Sequence, residues 1–138
     1  MMYAIARGEN AISDIAAEIA DGEAVWKRAP KMLKIADAVC ADQRMGKAEL
    51  MSNRRVMRLV YARNVFYFLC LRLTIRGYSE VGRFVGRHHS TVWHGEGIVL
   101  ERLPVYLPTL RRIAAVLGHE ITDDMLIGRR GNEPIASP

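Results

Sequence analysis

Cysteine is scarce in this chain, and no long hydrophobic run interrupts its polar background. Cys40 and Cys70 stand alone, without CxxC spacing, in 138 residues. A chain of this length can bury a core without a covalent staple, so both thiols are expected to be reduced core residues. The longest uncharged apolar stretch, Val65 to Leu71, falls far short of the roughly 20 residues that cross a bilayer. No charged, then apolar, then small signal pattern opens the chain, so a cytoplasmic location and no membrane partner are expected. Strand-type alternation, internal repeats and low-complexity tracts are absent. Neither GxxxxGK nor GxGxxG occurs, and MGKA around Gly46 lacks the first glycine of the phosphate loop. No nucleotide and no cofactor are therefore expected.

What is present is positive charge in one place. The net charge of +5 is the balance of −4 over residues 1–23, +3 over 24–51, +6 over 52–102 and zero over 103–138. The 52–102 segment carries nine arginines and not one lysine. Guanidinium groups suit paired contacts to phosphates or base edges, although a solvated basic helix face would have the same composition.

Apolar spacing at threes and fours predicts helices throughout. The first is an acidic amphipathic helix over Asn10 to Ala20. A second starts after Pro30, from Lys31 to about Ala41, with Leu33, Ile35, Ala36 and Val39 inward. Ser52 is the expected cap of a long central helix through Val56, Leu59, Val60, Phe66, Leu69, Cys70 and Leu73, ended by Gly77. Ser79 can cap a short helix, Gly86 marks a turn, and Ser90 can cap a further helix that Pro104 stops. A last helix is expected from Pro108 and Thr109 to Gly118. The fold class is all-α, with an acidic helical extension over 1–30, a main domain over 31–103, a C-terminal helix over 104–120 and a flexible tail over 121–138.

The stretch RHHSTVWHG, residues 87–95, is the densest concentration of chemistry. His89 and His94 are five apart, not the three or four that put two ligands on one helix face, so a metal site is disfavoured. Catalysis would have to use Ser90, His89 and Glu96 on a single helix without a pocket, and the protein is not expected to be an enzyme. Two short helices separated by a glycine turn form instead the pattern of a helix-turn-helix, whose second helix can enter a major groove by its first turn. Arg87 can grip a phosphate or guanine, Ser90 can cap or touch phosphate, Thr91 can offer a methyl to thymine, and His88 and His89 can meet base edges. Val92 would face the core. His94 and Trp93 have ordinary packing roles available.

These residues resemble a known family. Residues 52–102 are similar to the C-terminal DNA-binding domain of the bacterial replication initiator DnaA, with its helix-turn-helix of the Trp-repressor type. SNRRVMRLVYARN resembles the basic SKRR-to-ARQ segment, ARNVFYFLCLRLT the pattern ARQIAMYLCRELT, and SEVGRFVGRHHSTVWH the pattern PEIGRLFGGRDHTTVLH. The resemblance implies double-stranded DNA as partner, with Arg87, His88, His89, Ser90, Thr91, Arg63, Arg54 and Arg55 as contacts to bases or phosphates. Tyr61, Arg58, Arg83 and His94 are accessory contacts, and a nucleoid association follows.

Three departures bear on specificity. His88 replaces the family's aspartate, an acceptor, with a group that can donate or accept. Tyr61 stands where many members have an arginine that enters the minor groove. Gly97 and Ile98 replace two basic residues of the HAxRKI continuation, which should lower the salt slope by almost two. Gly95 and Gly97 each cost about 1 kcal/mol of helix propensity relative to alanine, so a helix that is short, frayed, or stabilised only on DNA is expected. The sequence carries no ATPase motif. The expected function is a sequence-specific reader of a DnaA-box-like or related site, regulating transcription or replication initiation, of phage or mobile-element origin. The competing reading is an adaptor whose terminal helices form a homodimer or recruit polymerase or a replication factor.

Overall fold

The computed structural model describes residues 19–128, with side chains from residue 31 onward. The chain divides into two compact units, residues 1–33 and 34–138. Among the described residues six helices follow in order: α1 Ile19–Gln43, α2 Lys47–Met51, α3 Met57–Leu73, α4 Tyr78–Val85, α5 His89–Glu101 and α6 Leu103–Val116, then a single 3₁₀ turn, Asp123–Leu126. Among the described residues there is no strand, and the fold is all-α as the periodicity predicts.

The centre of the second unit is α3. Every residue from Ala62 to Leu71 is buried, Arg63 and Asn64 included, and a helix buried all round must be surrounded by others. Phe66, Phe68, Leu69 and Val65 are fully buried on it, Ile35, Val39 and Leu50 are buried on α1 and α2, and Val92, Val99, Leu110 and Ile113 on α5 and α6. Cys40 and Cys70 both lie in the core as free thiols. Burial pushes both above the ordinary thiol pKa, Cys70 well above.

Several helix boundaries differ from the sequence expectation, each for a local reason. The helix expected over Asn10 to Ala20 lies, except for its last two residues, outside the described residues. Pro30 does not begin a helix but sits inside α1, where its missing N–H forfeits the bond to the carbonyl four residues back. Ser52 closes α2 instead of opening α3. Its N–H and hydroxyl both donate to the Glu49 carbonyl, at 3.1 and 2.8 Å, and Val56 precedes the first turn of α3. Thr74, not Gly77, ends α3, with its hydroxyl on the Cys70 carbonyl at 2.7 Å. Gly77, not Ser79, opens α4, where the Glu80 carboxylate accepts the Gly77 N–H at 3.0 Å.

The preceding helix does stop just before Pro104, at Glu101, but the last helix begins at Leu103 and not at Pro108, with Pro104 in its first turn and Pro108 in its interior. A first-turn proline forfeits no helical bond. This C-terminal helix packs against α3 and α1. Tyr61 stacks on Tyr106 with ring centres 4.5 Å apart, Asn64 donates to the Tyr106 hydroxyl at 3.0 Å, and Arg112 grips Asp42 with two bonds of 2.6 and 2.9 Å. The segment expected as a flexible tail from 121 is structured as far as 128: Ile121 is buried, and Arg72 donates to the carbonyls of Met125 and Gly128, both at 2.7 Å. Residues 129–138 lie outside the described residues.

Candidate nucleic-acid interface

Two glycines shape the turn between α4 and α5. Gly86 takes φ 71°, the left-handed conformation that side chains disfavour. A Cβ on Gly82 would stand 2.6 Å from the Arg87 carbonyl oxygen, and the Arg87 N–H donates to the Gly82 carbonyl at 2.8 Å. The turn therefore folds back onto α4, and α5 begins at His89.

The cap of α5 is His88, not Ser90. Its Nδ1 accepts the Ser90 N–H at 3.1 Å and lies 2.8 Å from the Ser90 hydroxyl. The chain enters the helix in extended conformation, and a ring nitrogen takes the part usually played by a short oxygen-bearing side chain. The His88 and His89 rings lie 4.2 Å apart. Beyond the cap, α5 presents two sides. Thr91 and His94 are exposed, whereas Val92, Gly95, Glu96 and Val99 are buried. Instead of being short or frayed, α5 runs 13 residues. Gly95 lets it approach α3, since a Cβ there would fall 2.7 Å from both Asn64 Oδ1 and Tyr67 Cδ2.

Behind α5 is a feature the sequence reading missed. Glu96, wholly buried, takes Arg72 Nη1 at 2.6 Å on one oxygen and the Tyr78 hydroxyl at 2.6 Å on the other. The Arg72 guanidinium lies 4.4 Å over the Phe68 ring and spends its other donors on the Met125 and Gly128 carbonyls. This ion pair joins α3, α4, α5 and the 3₁₀ segment. Its signal in the sequence is faint: Glu96 follows the inward i, i+4 row from Val92, where a charge requires a buried partner.

In front of α5 runs the loop from Ser52 to Val56. Arg63, expected to touch DNA, is instead turned inward and buried. Its Nε donates to the Leu50 carbonyl at 2.8 Å, its Nη1 to the Arg54 carbonyl at 2.6 Å, and its Nη2 to the Ser52 carbonyl at 2.6 Å. With a further bond from Nη2 to the Glu49 carbonyl at 3.3 Å, the guanidinium fastens the loop to α2, and it also lies among the residues that line the cleft beside Arg87. Burial, then the nearby Arg87 charge, holds its pKa below the ordinary value. Tyr61 is likewise committed elsewhere, its hydroxyl shared between the Val105 carbonyl at 3.1 Å and Thr109 Oγ1 at 2.9 Å. Arg63 is thus turned inward yet lines the cleft with Arg55 and Arg87, whereas Tyr61 is not among the lining residues.

The remaining candidates are solvent-facing to different degrees. Arg54, Arg55, Arg58, Arg83, His88, Thr91 and His94 are exposed, while Arg87, His89 and Ser90 are half-buried. Arg87 Nη2 donates to the Ser52 carbonyl, tying the helix-turn-helix to the loop. Arg58 pairs with Glu49 at 3.2 Å, and Arg54 approaches the same carboxylate at 3.9 Å. Arg55, Arg63, Arg87, Thr91 and His94 line one cleft between loop and helix, together with Asn53, Asn64 and Tyr67, which the sequence reading did not single out. Arg83 projects from the last turn of α4, outside that cleft. Among the described residues no group of three or more His, Cys, Asp or Glu side chains could hold a metal, and no helix is long and apolar enough to cross a membrane.

Residues 32–98 match the family model for the bacterial dnaA protein helix-turn-helix. The chain is 45% identical over 62 residues to the chromosomal replication initiator protein DnaA of Sphingopyxis alaskensis, an alignment covering 44% of this chain and 14% of that protein. It is 33% identical over 97 residues to DnaA of a Bradyrhizobium species, covering 67% of this chain and 18% of the relative. With DnaA of Rhodopseudomonas palustris it shares 38% identity over 78 residues, covering 51% and 16%. The chain thus spans less than a fifth of the length of the curated relatives it matches. No solved structure matches it. Residues 32–98 are a helix-turn-helix domain of the bacterial DnaA C-terminal family.

Proposed function

We propose that the protein binds double-stranded DNA in a sequence-dependent way through α5 and the 52–56 loop, and acts by binding and not by catalysis. The observation that carries this reading is the division of α5 into two sides. Its inward side is anchored by Val92, Glu96 and Val99, while Thr91 and His94 remain exposed beside Arg55 and Arg87. A rigid helix with an unoccupied polar first turn, flanked by cations, is the arrangement that reads base edges in a major groove while guanidiniums hold the adjoining phosphates. His88 belongs to the cap through Nδ1, so its contribution to base reading would come from the other ring nitrogen. Arg54, Arg55 and Arg87 would supply the backbone contacts, with Arg58, Arg83 and His94 at the margin.

The DnaA relatives are named as chromosomal replication initiators. The role proposed for this chain is regulation at such boxes or at promoters carrying related sites, by occupancy of the site. The test is selection of duplexes from a random pool at near-physiological salt, followed by affinity measurement on the enriched site. His89→Ala should lose about 1–3 kcal/mol on that site and much less on random duplex. Equal loss on both would assign His89 a backbone role, and failure to enrich any motif would defeat sequence-specific reading.

A further inference from the structure

The cleft between the loop and α5 has a volume of about 440 Å³, within the range of roughly 300–1,000 Å³ typical of small-ligand sites. Its floor is buried and its rim is open. Asn64, Tyr67 and Gly95 form the floor, and Arg55, Thr91 and His94 stand exposed at the rim. None of the residues that line it is acidic. The Glu49 carboxylate, on α2, is engaged by Arg58 and Arg54.

Two guanidiniums converge here. Arg63 and Arg87 donate to the same Ser52 carbonyl oxygen, so two like charges are held side by side against one neutral acceptor. Burial first, and then the Arg87 and Arg55 charges, hold the Arg63 pKa below its ordinary value. Such a cluster gains from any anion that enters, because the anion relieves the repulsion as well as pairing with the nearest cation. Below the cations, the Tyr67 ring with Val60 and Ile98 gives the cleft an apolar wall.

We propose that this cleft binds a small phosphorylated ring compound, its phosphate between Arg55, Arg87 and the Thr91 hydroxyl and its ring against Tyr67 and Ile98. The absence of a glycine-rich phosphate loop does not oppose this, since here side-chain cations and not backbone amides hold the phosphate. The regulatory consequence rests on the DNA reading above: ligand and duplex backbone would require the same Arg55 and Arg87, so the ligand would release DNA.

The experiment titrates the full-length ¹⁵N-labelled chain, free of DNA, with inorganic phosphate, adenosine and adenosine monophosphate at constant ionic strength. Amide and arginine Nε–H signals are followed. The expected result is saturable shifts at Arg87, Thr91 and Tyr67, with adenosine monophosphate binding about tenfold more tightly than inorganic phosphate. Arg55→Gln, at an exposed side chain, should weaken that binding about tenfold without moving the thermal midpoint. Equal affinity for phosphate and the nucleotide would overturn the proposal, leaving a seat for a bare backbone phosphate, and so would unsaturable shifts or indifference to Arg55→Gln. Displacement of the selected duplex by the nucleotide supports the regulatory step. A cleft that saturates in a protein that selects no duplex would sink the DNA reading and keep the ligand site; a selected duplex with no nucleotide binding would do the reverse.

Discussion

The two sides of α5 use the same residue type for opposite ends. Behind the helix, Arg72 is enclosed and spends its donors on Glu96 and on the carbonyls of Met125 and Gly128. In front of it, Arg55 stands exposed beside Arg87, whose Nη2 alone is tied down, to the Ser52 carbonyl. Arg63 belongs by position to the front and by chemistry to the back, since loop carbonyls take up its guanidinium. The contrast teaches that arginine content marks a basic surface only after the inward arginines are subtracted. What separates the two kinds is the supply of backbone acceptors around each guanidinium.

The largest effect should come from stranding a charge behind the helix. Glu96→Ala removes the carboxylate from Arg72 and Tyr78, and breaking one partner of a buried pair typically costs about 3–5 kcal/mol. Denaturant unfolding should show that loss, while replacing Arg72 and Glu96 together by Met and Leu should restore most of it. If Glu96→Ala cost no more than a surface substitution, the back of α5 would not be the anchored side.

Next in size is Arg63→Met, which deletes charge-assisted bonds to the Leu50, Arg54 and Ser52 carbonyls. Stability should fall by about 2–3 kcal/mol, on the scale of hydrogen bonds made by a charged group. The salt dependence of DNA binding by the folded protein should keep its slope. A reduced slope would return Arg63 to the front of the molecule as a phosphate contact.

Arg55→Gln is the converse. Stability should stay within about 0.5 kcal/mol, as for surface changes generally, and the slope of log K against log salt should drop by roughly one phosphate contact. The pair of variants separates the two arginine populations by two independent measurements.

The helices, the glycine turn, the inward placement of Val92 and the core thiols were legible because period and turn chemistry are local properties. The Ser52, Ser79 and Ser90 caps were misassigned for a related reason. A short hydroxyl residue near a helix end can serve the helix before it, as Ser52 does with Glu49, or give way to a neighbour such as Glu80 or His88. Proline was ambiguous in the same way: Pro104 reads equally as a stop or as a first turn, and only the following packing of Tyr106 and Leu110 decides. The inward arginines were not legible at all. Their partners are carbonyls of residues 9 to 14 positions away for Arg63 and 53 to 56 for Arg72, and a carbonyl has no letter in the sequence.

The smallest effect tests the edge of the contrast, where an arginine is exposed yet paired. Arg112 binds Asp42 through two bonds, and its hydrogen bonding holds the Asp42 carboxyl below its ordinary value of 3.8. A carboxyl with a depressed folded pKa stabilises the fold at pH above its unfolded value and loses that contribution as pH falls through the folded one. Unfolding free energy should therefore decline on acidification below about pH 4, and Asp42→Asn should flatten that part of the profile. Because the Arg112 side chain is 55% exposed, solvent screens the pair, and the loss at neutral pH should stay below about 1 kcal/mol. A loss as large as that of Glu96→Ala would mean that α6 is held by this bridge more than by the Tyr61 and Tyr106 stack. Exposure would then no longer separate arginines that fold the chain from arginines that face outward.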